Sequence, residues 1–194
     1  MKVIRFVLLA VMVSVANHAS ADSMATEDPT IVPGASIGGV SLGSDGLQEL
    51  KKLGKPYRVD RGMSQTREVW KWSRPEGRLD TFFVHTVSNG VIDAKPADGV
   101  TIDLIRSTVA RFKTSSGIGV GSTLDQIRKS FPDVGPVDGT PTIFDDTKRG
   151  IAFEFSTAPI GHSVCIAVMV HPPGKSNFAT QDQAADVLER GARE

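Results

Sequence analysis

The sequence of 194 residues has little from which to build a disulfide framework, a metal cluster or a nucleic-acid site. It contains one cysteine, Cys165, so neither an internal disulfide nor a multi-cysteine metal site can form. Basic and acidic residues are balanced at 22 each, so there is no basic excess with which to hold nucleic acid. Hydrophobic residues make up 40% and charged residues 23%, which is typical of a globular domain rather than a disordered or fibrous chain.

The longest apolar run lies at the N-terminus. A short basic start at residues 1–5 precedes an almost unbroken apolar stretch at residues 6–16, and small residues follow at Ala19 and Ala21. This pattern predicts a secretory signal peptide over residues 1–21. An uncleaved anchor is the alternative, but the run is well short of the roughly 20 residues that span a bilayer. We therefore expect a periplasmic or secreted protein with no membrane anchor after cleavage.

The rest of the chain contains two segments that resemble each other. Gly43 and Gly121 each precede a serine and then a residue that can cap a helix, Asp45 or Thr123. In both copies, apolar residues follow at spacings of three and four until a glycine or proline ends the pattern. The copies are 78 residues apart. They indicate a duplication, although two unrelated helix starts with common capping chemistry would give a similar pattern.

After each predicted helix, apolar and polar residues alternate, which predicts strands. The alternating segments are residues 68–73, 81–88, 91–94, 100–107, 142–145, 150–156 and 163–171. The expected fold class is α+β, with two tandem repeats, each a short helical element packed on an antiparallel β-meander. The expected divisions are a signal peptide at 1–21, a disordered leader at 22–31, repeats at 32–113 and 114–175, and a C-terminal short helix or tail at 176–194.

The two helix starts resemble a known tandem fold. The matching residues are Leu42, Gly43, Ser44, Leu53, Gly54 and Pro56, then Val120, Gly121, Ser122, Thr123, Ile127, Phe131 and Pro132. In this pattern the chain resembles the beta-lactamase inhibitor protein (BLIP) family and the BamE (SmpA-OmlA) outer-membrane assembly lipoproteins. The resemblance implies a protein that binds other proteins through an exposed sheet face or its loops. The chain departs from both families, because it lacks the disulfides of the first and the lipidated cysteine of the second.

Motifs for catalysis and cofactor binding are weak. Gly34-Ala35-Ser36-Ile37-Gly38 matches the nucleophile elbow of hydrolases, but that motif needs a buried strand before the serine and a helix directly after it. The glycine-rich stretch at residues 117–122 lacks the third glycine of a dinucleotide site and has no phosphate-binding lysine. We therefore expect no catalytic residue and no cofactor, with a small hydrolase using Ser36 as the least favoured alternative.

Metal binding is not expected either. No two histidines have the spacing of a helical metal pair. Cys165, Met169 and His171 share one strand face by parity and would suit a soft ion. Cys165 and His171 would, however, lie roughly 20 Å apart along an extended strand.

The best candidates for a binding surface are aromatic residues on the predicted strands. Trp70 and Trp72 share one strand face, and Arg74 follows on the same face. Phe83 and His85 share a face of the next strand and would extend the patch. If that face is open, this composition is typical of a protein-binding hot spot, and if it is covered, the tryptophans belong to the core.

These features together predict an exported, non-enzymatic protein-binding module. Its tasks would be to inhibit or neutralise a cell-envelope enzyme or to act as a scaffold for envelope proteins, and its partner would be another envelope or secreted protein. The alternative is a periplasmic protein that binds a small ligand or a cell-wall fragment in a cleft between the repeats.

Overall fold

The computed structural model describes residues 28–44, 46–62, 65–73, 79–88, 99–156 and 163–175. The predicted signal peptide, the strand at 91–94 and the C-terminal tail at 176–194 lie outside the described residues. Strand and bridge residues make up 52% of the described chain and helix residues 11%. Within these ranges no helix combines the length and apolar character needed to cross a membrane.

A small three-stranded sheet precedes a large antiparallel one. The small sheet consists of β1 (Ile31–Val32), β2 (Ser36–Ile37) and β3 (Val40–Ser41). The other elements are β4 (Gly43–Ser44), α1 (Gly46–Lys51), β5 (Arg58–Gly62), β6 (Gln65–Ser73), β7 (Leu79–Ser88), β8 (Val100–Ser107), α2 (Leu124–Ser130), β9 (Gly135–Val137), β10 (Thr140–Asp146), β11 (Ile151–Phe155) and β12 (Cys165–Val170). The large sheet has the order β5-β6-β7-β8-β12-β11-β10-β9, and the short strand β4 also pairs with β8.

The predicted α+β fold of two tandem helix-on-meander repeats is wrong. The described chain is mostly β, with two short helices and one large sheet that runs through both halves. The halves join because β8 and β12 pair with each other, with Val168 opposite Ser107 and Val170 opposite Ile105. Hydrophobic periodicity locates strands along the chain, but it does not report which strands pair across a long sequence separation.

The second predicted helix start is confirmed in detail. Thr123 caps α2: its hydroxyl accepts a hydrogen bond from the backbone N–H of Gln126, and the Gln126 side chain accepts one from the Thr123 N–H. This reciprocal pair satisfies two backbone donors that a helix start otherwise leaves unpaired. The helix buries Ile127, and Phe131 packs in the core directly after it.

Both helices and the small sheet cover one face of the large sheet, which we name the first face. The main hydrophobic core lies between them and includes Leu50 and Leu53 from the α1 region, Ile127 from α2, and Ile37 from the small sheet. The sheet contributes the following residues to this core: Trp70, Phe82, Val84, Ile102, Ile105, Phe144, Ile151, Phe153, Phe155, Cys165, Val168 and Val170.

Two β-bulges change the alternation of side chains along the sheet. In β8, His85 pairs with Leu104 and Thr86 with Ile102, so Asp103 is the additional residue. In β12, Glu154 pairs with Ala167 and Phe155 with Cys165, so Ile166 is the additional residue. A bulge turns nearby side chains toward a different face than strict alternation predicts.

Candidate binding face

The opposite face of the large sheet, which we name the second face, has a hydrophobic cluster of its own. Its buried members are Val69, Phe83, Leu104, Ile143, Ala152 and Met169, and Val137 packs against them at the margin. All seven belong to strands of the large sheet. Within the described part of the chain, neither helix and no strand of the small sheet contributes a residue to this cluster.

An ion pair crosses the middle of the second face. Arg106 on β8 lies opposite Phe83 on β7 and Met169 on β12. Its guanidinium reaches Glu154 on β11, where Nε donates to a carboxylate oxygen at 2.9 Å and Nη2 lies 2.9 Å from the same oxygen. Of the two side chains, 9% of Arg106 and 21% of Glu154 remain exposed. The third guanidinium nitrogen of Arg106, Nη1, is buried without a hydrogen-bond acceptor.

A second polar pair lies one residue row along the sheet. His85 on β7 is 1% exposed, and its Nδ1 lies 2.5 Å from a carboxylate oxygen of Asp103. This contact depends on the β8 bulge, because Asp103 is the additional residue there and approaches the same face as His85. On the other side, the Gln65 amide oxygen lies 3.4 Å from His85 Nε2 and accepts a 3.4 Å hydrogen bond from Arg67.

A third polar pair lies at the far end of the second face, between the end of β12 and β10. His171, directly after β12, is fully buried, and its Nε2 lies 2.9 Å from Asp145 on β10. The other oxygen of Asp145 accepts a hydrogen bond from Thr147. Burial has the largest single effect on the pKa of His171 and lowers it, but the Asp145 hydrogen bond and charge, with backbone carbonyls, together outweigh it and raise the pKa. Both ring nitrogens face acceptors, which favours the protonated imidazolium.

The end of the second face at β5 and β6 is basic. By strand register, Arg58, Arg67 and Lys71 share that face, and Asp60 is the carboxylate that lies among them, opposite Arg67. Lys71 is half-buried at the margin, with its ammonium 4.2 Å from the centre of the exposed Tyr57 ring. Arg67 lies 4.0 Å from Asp60. A surface that approaches this end therefore meets cationic side chains and an accessible aromatic ring.

The five predicted binding residues do not form one surface. Trp70 is 3% exposed in the main core, and its indole N–H donates to the carbonyl of Gly54 after α1. Trp72 packs against the same core. Phe83 and His85 lie on the opposite, second face, and Arg74 lies outside the described residues.

Sequence reasoning missed most of the charged residues of the second face. Arg106 and Asp103 stand in the strand VTIDLIRS, where their positions are three apart and strict alternation would put them on opposite faces. Glu154 stands between two phenylalanines in an alternating strand, which is the usual place for a solvent-facing residue. The available signal was the presence of charges within strands otherwise rich in large apolar residues.

The β12 bulge separates the residues that the sequence suggested as ligands of a soft metal ion. Cys165 lies in the main core, whereas Met169 belongs to the second-face cluster. Burial raises the pKa of the Cys165 thiol to about 12, so at neutral pH it is a protonated, poorly nucleophilic group. In the ranges that the structure covers, no three His, Cys, Asp or Glu side chains are placed to hold a metal ion.

Ser36 lies in a different setting from a hydrolase nucleophile. It belongs to the two-residue strand β2, where it pairs with Val32 on one side and Ser41 on the other. After it the chain continues through a turn into β3, whereas a nucleophile elbow continues into a helix.

Comparisons with protein-family models, with curated proteins and with solved structures found no match to this chain. The resemblance to the BLIP and BamE families therefore stays a prediction based on the short helix-start motif. The case for a function rests on the residues themselves.

Proposed function

We propose that the protein is an exported, non-enzymatic binding protein that holds an acidic partner protein at the basic end of the second face of its large sheet. The observation that carries the proposal is the composition of this end, where Arg58, Arg67 and Lys71 share one face and the ring of Tyr57, 63% exposed, lies beside Lys71. Arginine and aromatic residues are enriched in protein interfaces and supply many of their strongest contacts. Inhibition of an envelope enzyme and scaffolding in the envelope are the tasks that suit such a protein.

The rest of the sheet is less accessible than this end. Both helices and the small sheet pack on the first face, and in the middle of the second face Phe83, Leu104 and Met169 are 0% exposed. The basic end at Arg58, Arg67 and Lys71 provides charge complementarity for an acidic partner, which accelerates association and fixes orientation.

Charge reversal at the margin of the face tests the proposal. We expect Lys71→Glu to weaken capture of the partner from an extract of the producing cells at least tenfold, which corresponds to about 1.4 kcal/mol. The matched control is Lys129→Glu on α2, an exposed residue on the helix that covers the first face. Quantitative mass spectrometry of proteins retained by each immobilised variant provides the measurement.

The control separates a specific effect from a general charge effect. Equal loss of the same partner from both variants would contradict a role for the second face. Retention of a small molecule by the purified protein in native mass spectrometry, with no protein partner in any arm, would favour the small-ligand alternative instead.

Export is a separate expected result. We expect the mature protein to begin at Asp22, because Ala19 and Ala21 occupy the positions that signal peptidase reads. Intact-mass measurement of the protein recovered from the periplasm or medium checks this. Recovery of the protein from the cytoplasm with residues 1–21 still attached would contradict the proposed location.

A further inference from the structure

The large sheet has two edge strands, and they differ in their capacity to pair with a further strand. At one edge, β9 has three residues and includes Pro136, which has no backbone N–H to donate. At the other edge, β5 has five residues and no proline, and in the described part of the chain it pairs with β6 alone. Alternate N–H and C=O groups of such a strand point away from its neighbour. The β5 edge is therefore the one that can accept another strand.

The side chains of β5 are accessible, and their charges alternate in sign on one face. Arg58 and Asp60 share the second face, and Val59 lies between them on the other face. Val59 is 36% exposed, and 47% of the Asp60 side chain is exposed. Charges on an edge strand prevent association when they repel the approaching strand. A cation and an anion two positions apart instead favour a strand with the opposite order of charges.

A second copy of β5 in antiparallel orientation has this opposite order. With Val59 opposite Val59, Arg58 of each copy lies opposite Asp60 of the other copy, on the second face. The two neighbouring registers that keep the faces aligned put either Asp60 opposite Asp60 or Arg58 opposite Arg58. Opposite charges across a strand pair stabilise it, and like charges destabilise it. The charges therefore favour the register centred on Val59.

From this complementarity we infer that two copies of the protein associate through β5, in antiparallel pairing centred on Val59. The two exposed Val59 side chains cover each other, and Asp60, which lies 4.0 Å from Arg67 of its own chain, gains Arg58 of the second copy as a further cation. A pair of five-residue strands buries less surface than a standard interface, so the association is weak, with a micromolar or higher dissociation constant. The inference does not depend on the proposed function, because paired residues share a face and both second faces stay on the same side of one continuous sheet.

Charge reversal at the two paired positions tests the register. Arg58→Asp and Asp60→Arg each put like charges opposite one another, and each is expected to weaken self-association at least tenfold, or about 1.4 kcal/mol. An equimolar mixture of the two variants is expected to associate as wild type does, because the acidic strand of one then faces the basic strand of the other. Sedimentation velocity of the purified mature protein, from micromolar to near-millimolar concentration, provides the measurement, and circular dichroism confirms that each variant is folded.

Val59→Cys gives a second test that does not depend on charge. In the inferred register this position faces itself, with a Cα separation of roughly 5 Å that permits a disulfide. The native Cys165 is fully buried and does not compete. Mild oxidation is expected to give a covalent dimer of Val59→Cys. The matched control is Val32→Cys, on an exposed valine of the small sheet, and it is expected to stay monomeric.

Several results would overturn the inference. Wild-type protein that is monomeric at every concentration would do so, as would a dimer that both charge variants retain at full strength. A mixture of the two folded variants that stays monomeric would refute the Arg58–Asp60 pairing. If a charge variant does not fold, the oxidation experiment decides, and equal covalent dimer from Val59→Cys and Val32→Cys would count against β5 as the contact.

Discussion

Arg106→Met is expected to lower the free energy of unfolding by about 3–5 kcal/mol, because it leaves the carboxylate of Glu154 without its cation on a mostly buried face. The double variant Arg106→Met with Glu154→Met is expected to recover most of this loss, since neighbouring Phe83 and Met169 provide apolar surroundings. Urea titration of wild type, both single variants and the double variant gives the four values of a double-mutant cycle.

Two results of this cycle would count against a buried ion pair. A loss below about 1 kcal/mol for Arg106→Met would mean that Glu154 finds adequate hydration, as in an exposed ion pair. A double variant as unstable as the sum of the single ones would show that the two charges do not interact. Either result would contradict the description of this pair as a buried element of the second face.

The His171–Asp145 pair is expected to make stability depend on pH. The pKa of His171 is raised in the folded state above its ordinary value of 6.5, so the folded protein binds this proton more tightly than the unfolded chain does. Its stabilisation is fully present below the unfolded pKa and is lost as the pH rises through the folded pKa. The free energy of unfolding should therefore fall as the pH is raised from about 6 into the alkaline range.

Two variants isolate this effect. His171→Gln keeps a hydrogen-bonding group but cannot ionise, so its stability should lack this alkaline decrease, at a cost of about 2–3 kcal/mol at pH 6 for the lost charge-assisted contact. Ser130→Ala, outside the pair, should retain the wild-type pH profile. Thermal or urea unfolding between pH 5 and 9 gives the comparison, and an unchanged slope in His171→Gln would contradict the assignment.

The backbone of His171 packs closely against the segment that carries the N-terminal sheet. The carbonyl of Gly150 accepts hydrogen bonds from the backbone N–H groups of both His171 and Gly34. Gly150 has a φ of +70°, and a Cβ there would collide with the His171 carbonyl, so the three segments pack closely.

Local patterns predict much of this protein. The strand at residues 100–107 is confirmed as β8, and the capping role of Thr123 is confirmed in atomic detail. Both depend on a few consecutive residues, for which periodicity and capping chemistry are sufficient. The small sheet at the start was not predicted, because its strands are only two residues long.

The faces of the sheet could not be predicted by the same reasoning. A single additional residue moves every later side chain of a strand to the other face, and β8 and β12 each contain one, at Asp103 and Ile166. Trp70 and Phe83 lie on opposite faces because the pairing places Trp70 beside Phe82. Pairing across strands is also what joins Arg106 to Glu154, a contact between residues 48 positions apart.

Site-specific photo-crosslinking in the producing cells tests the central claim most directly. A photoreactive amino acid is placed at Lys71 or Tyr57, both at the basic end of the second face, or at Arg128 on α2 as the matched control. The account predicts that positions 71 and 57 crosslink to the same protein and that position 128 does not. Crosslinking of all three positions to that protein, or of neither position 71 nor position 57 to any protein, would contradict it.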